Sequence, residues 1–214
     1  IGDGAFFGCS RLIIITIPNS VTSVGDNAFV GCSRITSMTI PDSLTTTGYG
    51  MFRFCTSLSS ITIPDSLTSI ADRTFDGCTA LTNITIPNGV TSIGQYAFQS
   101  CSSLNNIIIP DSVITIGASA FHDCSGLTSI TIPDSVNSIA LNAFADTGLS
   151  SLSFSNPLLE AAEAERDARP TQSAYDSIVN ERDAVHSKFG ANLIAVANGV
   201  ANVGVNIEIS DDLS

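Results

Sequence analysis

Apolar and polar residues along the first two thirds of the chain follow one short program that restarts at a fixed interval. The stretch from Leu81 to Ser103, LTNITIPNGVTSIGQYAFQSCSS, shows it in full. Leu81, Ile84 and Ile86 fall on the inward side of a short strand whose outward positions are Asn83 and Thr85, the period of two that a half-buried strand requires. Pro87 has no N–H to give and ends the ladder, and Pro87-Asn88-Gly89 is turn chemistry. Val90 and Ile93 begin a second inward face, Gly94 permits a bend, and Ala97-Phe98 open a tight, 3₁₀-like turn that Cys101 closes. The program then starts again. Pro recurs at 18, 41, 64, 87, 110 and 133, Cys at 9, 32, 55, 78, 101 and 124, and Phe at 6, 29, 52, 75, 98, 121 and 144.

Three residue types locked to a 23-residue period, with no insertion, predict a solenoid in which each coil stacks on its neighbours. A single coil orders more backbone than its few inward side chains can offset, so stacking is obligatory. The core is therefore expected in columns. The Phe and Cys positions form two, and Leu12/Ile35/Leu58/Leu81/Leu104/Leu127 and Ile17/Ile40/Ile63/Ile86/Ile109/Ile132 form two more, with Met38 filling a neighbouring column in one copy.

The repeat runs out near residue 150. Ala145-Asp146-Thr147-Gly148-Leu149 is one residue shorter than the matching run of the preceding copy, Ser155 stands where Pro is due, and Leu152-Ser153-Phe154 reads as the last strand. We therefore expect a solenoid over 1–156, a two-helix segment over 157–190 and a β-hairpin over 191–214, part of a domain that continues past the last residue. Asn156-Pro157 is an N-cap followed by Pro at the first helical position, and Pro170 separates the first helix from a second with an apolar stripe at Tyr175, Ile178, Val179, Val185 and Phe189. Asn198-Gly199, with Ile194 and Val196 before it and Val203, Val205, Ile207 and Ile209 alternating after it, is a type I′ hairpin signal. At the other end Ile1 to Phe6 align with Val24 to Phe29, so the sequence starts inside a coil and is expected to be a fragment of a longer protein.

Charge narrows the function classes. The net charge is -12, and residues 1–156 have neither Lys nor Glu, only Asp and Arg. An acidic chain is a poor nucleic-acid binder, and without 18 consecutive apolar residues no helical membrane insertion is expected. The six cysteines follow the repeat number, and stacked side chains roughly 5 Å apart pointing the same way make poor disulfides, so a buried thiol ladder is expected. The seventh copy replaces the thiol by Thr147. His122 and His186 are isolated and fit neither a triad nor a zinc site, and no phosphate loop or catalytic acid pair is visible, so neither an enzyme nor a cofactor is expected. Asn19, Asp42, Asp65, Asn88, Asp111 and Asp134 form a column beside the prolines that reads as turn chemistry rather than a calcium site, and Asn83-Ile84-Thr85 is a formal glycosylation sequon.

The pattern L-x-x-I-x-I-P-[DN]-S-V-x-x-I-G-x-x-A-F-x-x-C, held from residue 1 to about 156, resembles the BspA-like, Treponema-type leucine-rich repeat. That resemblance implies a curved solenoid with a parallel sheet on its concave side, found mostly in surface or secreted bacterial and protozoan proteins that bind host or neighbour molecules. It implies no chemistry. The outward strand positions then become the candidate site: Thr16, Thr39, Thr62, Thr85, Ile108 and Thr131, flanked by Ser37, Ser60, Asn83, Asn106 and Ser129. A regular field of hydroxyls and amides can hold an extracellular protein or a glycan through many weak hydrogen bonds, although Thr also simply suits an exposed strand. The expected function is a non-catalytic, cell-surface or secreted binding and adhesion module. The competing expectation is structural, an open first coil stacking end to end on another copy to build a fibre.

Overall fold

The computed structural model describes residues 1–154, leaving out the side chains of Leu152 and Phe154. The helices and hairpin expected beyond the solenoid lie outside the described residues. From the coil of Ser60 onward, each complete coil contributes two short strands, and the coil before it contributes one. On one arm these are β1 (Ser37–Thr39), β2 (Ser60–Thr62), β4 (Asn83–Thr85), β6 (Asn106–Ile108), β8 (Ser129–Ile132) and β10 (Ser151–Phe154). A second arm carries the two-residue strands β3 (Ser69–Ile70), β5 (Ser92–Ile93), β7 (Thr115–Ile116) and β9 (Ser138–Ile139).

All pairing is parallel and in the register of the repeat: Ser37 faces Ser60, Asn83 faces Asn106 and Ser92 faces Thr115. In the last coil Ser151 faces Ser129, so the one-residue deletion after Phe144 is absorbed before the strand and the ladder stays in step. Two features differ from the expectation of a single parallel sheet. The second arm is itself a continuous four-stranded sheet, β3-β5-β7-β9, extended by a bridge from Thr46 to Ser69. The first arm is three separate pairs, β1-β2, β4-β6 and β8-β10. Strands of two residues are too short to leave an alternation in the sequence, which is why the second sheet was not foreseen.

The third arm is a stack of turns that solves the backbone's hydrogen-bonding problem by alternation. Ala97, Gln99 and Cys101 donate N–H groups three residues back within their own coil, at 3.3, 3.2 and 3.2 Å, while Tyr96, Phe98 and Ser100 donate to Ala118, Ala120 and His122 of the next coil at 2.9, 2.7 and 2.8 Å. Donors that point alternately inward to the coil and outward to its neighbour need a left-handed residue at intervals, so a 3₁₀ turn does not form here. Two columns supply it: Gly4, Asn27, Gly50, Arg73, Tyr96, Ser119 and Asn142, then Gly8, Gly31, Phe54, Gly77, Ser100, Asp123 and Asp146, all with φ between +53° and +75°. For residues other than Gly this conformation costs about 1–2 kcal/mol each, least for Asn and Asp.

Columns fill the interior as expected. Phe29, Phe52, Phe75, Phe98, Phe121 and Phe144 are at most 2% exposed, and from Phe6 onward successive rings stack with centroids 5.1–5.7 Å apart and planes within 15°. Such parallel, displaced rings add attraction beyond area burial. Leu12 and Ile63 are only partly buried members of their columns. The cysteines are free thiols. Cys32, Cys55, Cys78, Cys101 and Cys124 each donate S–H to the carbonyl of the Phe 26 residues earlier, at 3.1–3.2 Å, so the thiol is both a small apolar filler and a strap between coils. Cys9 departs from the expected ladder and is exposed, having no described coil on its outer side. Burial and the neighbouring thiol push Cys55 up to about 12, and burial pushes Cys124 up to about 12.

One defect in the columns is repaired by a second. Thr47 stands in a column of Val and Ile, and Thr74, one coil on, stands in a column of Ala and Met. Their buried hydroxyls lie 3.0 Å apart, Thr74 donates to the Ala71 carbonyl at 2.7 Å, and the Ala71 N–H donates to Thr47 at 3.0 Å. Neither hydroxyl is left unsatisfied.

Candidate functional site

The outward positions of the first arm are exposed and in register, as the alternation requires. Ser37 and Thr39 face Ser60 and Thr62 on β1-β2, Asn83 and Thr85 face Asn106 and Ile108 on β4-β6, and Ser129 and Thr131 face Ser151 and Ser153 on β8-β10. Thr16 is exposed on the first coil. Beneath them Met38, Ile84, Ile107 and Ile130 point into the core, and Pro41, Pro64, Pro87, Pro110 and Pro133 end the strands.

The turn after each strand is held to the coil before it. Ser43, Ser66, Ser112 and Ser135 donate hydroxyls to the carbonyls of Val21, Leu44, Val90 and Val113 at 2.5–2.8 Å. The Ser of each Pro-Asp/Asn-Ser turn is therefore an inter-coil clamp, while the neighbouring Asp42, Asp65 and Asp111 are exposed to solvent at the edge of the strand face. Among the described residues no three His, Cys, Asp or Glu side chains converge in a way that could hold a metal ion.

The face is not uniform. No ladder joins β6 to β8 among the described residues, and a groove of about 370 Å³ opens at that seam. Asn106, Ser129 and Thr131 line it, together with Ile108, Asp111 and Ser153. Ile108, in a column otherwise made of Thr, is 69% exposed and contributes an exposed aliphatic side chain to the lining among hydroxyls and one amide. The Thr131 and Ser153 hydroxyls lie 3.0 Å apart across β8-β10. Of the residues predicted from the sequence, the structure thus gathers Asn106, Ser129 and Thr131 into one concavity. Ser37, Thr39, Ser60 and Thr62 lie on β1-β2, and Asn83 and Thr85 on the far side of β6 from the seam. Ser153 was missed because the shortened last coil removes it from the 23-residue count. Ile108 carried its own signal, the break in a Thr column.

His122, isolated in the sequence, meets Asp146 of the following coil, with Nε2 3.1 Å from Oδ2 and a buried Nδ1 without a partner. The pair ties the last two coils together at the turn arm. His186 lies outside the described residues.

Comparison with known proteins agrees with this architecture. The sequence matches the family profile described as "BspA type Leucine rich repeat region", in six copies over residues 1–105 and 49–163. A leucine rich cell surface protein of Faecalibacterium prausnitzii, known from a crystal structure, is 38% identical with a TM-score of 0.64 over 72% of this chain and 42% of that one. A leucine-rich repeat protein from Eubacterium ventriosum is 27% identical with a TM-score of 0.60, over 64% of this chain and 37% of that one. This chain thus spans less than half the length of either. No curated protein matches the sequence. Family and fold are those of leucine-rich repeat proteins, which are in general not enzymes. With the profile covering well over half of its residues, on a stack of coils whose Phe, Cys and Pro columns keep one register, the chain belongs to the BspA-type leucine-rich repeat family.

Proposed function

We propose that this chain is a non-catalytic binding module, displayed at a cell surface or secreted, that recognises a protein or glycan through its strand face. The observation that carries the reading is the groove at the β6–β8 seam. Three of the polar positions expected to bind converge there around Ile108, an aliphatic side chain placed where the repeat puts Thr and left exposed to solvent. A concavity lined by an exposed aliphatic side chain and by hydroxyl, amide and carboxylate groups is the composition of a recognition site. Because the strands are fixed by the core columns beneath them, binding costs little ordering. The surface location rests on the described cell-surface nature of the Faecalibacterium prausnitzii protein, to which this chain is similar.

The test places bulk and positive charge in the groove without touching the core. Ile108→Lys and Thr131→Lys should abolish capture of host-matrix proteins or glycans on an array while the melting temperature moves by no more than a few degrees. Capture that survives both substitutions would show that recognition uses another surface.

A further inference from the structure

In a repeat protein every surface position has its own controls in the coils on either side. The left-handed columns of the turn arm depart from those controls at three neighbouring positions. Phe54, Arg73 and Tyr96 sit at φ of +59°, +58° and +58° in the two left-handed columns that elsewhere hold Gly, Asn, Ser or Asp. Phe54 is 44% exposed, so its strained backbone is not compensated by burial of the ring. Its ring instead lies against Gly77 of the next coil, closely enough that a Cβ there would collide with it. Backbone strain spent on displaying a side chain, rather than on burying one, points to function.

The surrounding side chains are held rigidly. Asp76, buried at 4% exposure, accepts from Arg53 Nε at 2.8 Å and from Arg73 Nη1 at 2.9 Å on the same oxygen, Oδ2. The Arg53 guanidinium lies 4.4 Å from the Phe54 ring centre, and that of Arg73 lies 4.1 Å from the Tyr96 ring centre. Each arginine is thereby fixed between a carboxylate and an aromatic face, with other N–H groups of its fork still available. The exposed Tyr49 flanks Arg73 on the preceding coil. Two cations share one buried carboxylate, so guanidinium N–H groups are left over, while the Asp72 carboxylate beside them accepts from the Gln95 N–H at 2.7 Å and balances the remaining charge.

We propose that Tyr49, Arg53, Phe54, Arg73 and Tyr96 form a second binding site, on the turn arm, for a carboxylated sugar. The guanidinium forks match a carboxylate, and the partly exposed rings offer apolar surface to the C–H face of a pyranose. A peptide is the weaker candidate because the backbone of this arm is already committed coil to coil. Gly50, Phe52, Phe54 and Arg73 donate to Asp72, Thr74, Asp76 and Gln95 at 2.7–2.9 Å, leaving no strand edge to extend. The site stands independently of the strand-face reading.

Calorimetric titration of the full chain with trigalacturonic acid at low salt tests it, with the methyl-esterified trimer and triglutamate as controls. The acid trimer should bind and both controls should not. Phe54→Gly and Tyr96→Asn should each weaken binding at least tenfold without lowering the melting temperature, because Gly and Asn suit the left-handed backbone. Absence of binding by the acid trimer, equal binding by either control, or unchanged affinity in both variants would overturn the proposal.

Discussion

Removing one ring from the middle of the phenylalanine stack should damage the protein far more than removing one from its end. Phe75 is fully buried, stacked on Phe52 at 5.7 Å and on Phe98 at 5.3 Å. Phe75→Ala loses the transfer free energy of the ring and leaves a cavity, about 3–5 kcal/mol for a buried Phe. It also breaks two ring pairs, adding about 0.5–1.5 kcal/mol for each. The expected cost, about 4–8 kcal/mol, rivals the whole stability of an ordinary domain, which is about 5–15 kcal/mol. Phe6 is only partly buried and stacks on Phe29 alone among the described residues, so Phe6→Ala should cost about 1–2 kcal/mol. Because each coil contacts only its neighbours, the central substitution should also split the unfolding transition, uncoupling the coils before Phe75 from those after it. Urea denaturation followed by circular dichroism, with hydrogen exchange read coil by coil, measures both effects. Equal losses from the two substitutions, or a single sharp transition in Phe75→Ala with less than about 1.5 kcal/mol lost, would refute the stacked-column account.

Three further outcomes follow from the same geometry. In native protein at pH 8 a thiol reagent should label Cys9 rapidly and the five buried cysteines only after unfolding; fast labelling of Cys78 or Cys101 would contradict the ladder. Because the folded pKa values of Cys55 and Cys124 are raised from 9.0 to about 12, their contribution to stability is complete below pH 9. It is lost as pH rises from 9 towards 12, by about 1.4 kcal/mol per pH unit for each thiol, and a flat denaturation midpoint between pH 9 and 11 would exclude it. Thr47→Ile alone removes the hydroxyl paired with Thr74, which keeps only its bond to the Ala71 carbonyl, and removes the acceptor of the Ala71 N–H, for a cost of about 1–3 kcal/mol. Adding Thr74→Ala should restore most of that loss, since both columns then return to the apolar consensus, and strict additivity in a double-mutant cycle would show the pair to be uncoupled.

The parts of this fold that were legible in the sequence are those where one chemical demand recurs in every coil. An interior position admits only a narrow range of volume and polarity, so Phe, Cys, Leu and Ile columns declare themselves, and the strand arm follows from alternation between Ile84, Thr85 and Ile86. The turn arm was harder because its demand is on backbone angle. Gly, Asn, Ser and Asp all meet it, so the column Gly8, Gly31, Phe54, Gly77, Ser100, Asp123 and Asp146 looks disordered until φ is known. The second sheet was hidden by its length, since Ser92-Ile93 is too brief to show a period. The separation of the strand arm into three pairs depends on small displacements between coils that no residue type reports. The same reasoning locates specificity. A column that is merely structural can be filled by consensus, so on the proposed reading the positions that break consensus on the surface without gaining burial are the candidates for ligand contact. Ile108 on the strand arm and Phe54 on the turn arm are two such positions, each lying in a candidate site. Replacing each by its column residue, Ile108→Thr and Phe54→Gly, should leave a protein at least as stable as the parent that no longer binds. Loss of stability with binding intact would mean that these departures serve packing instead.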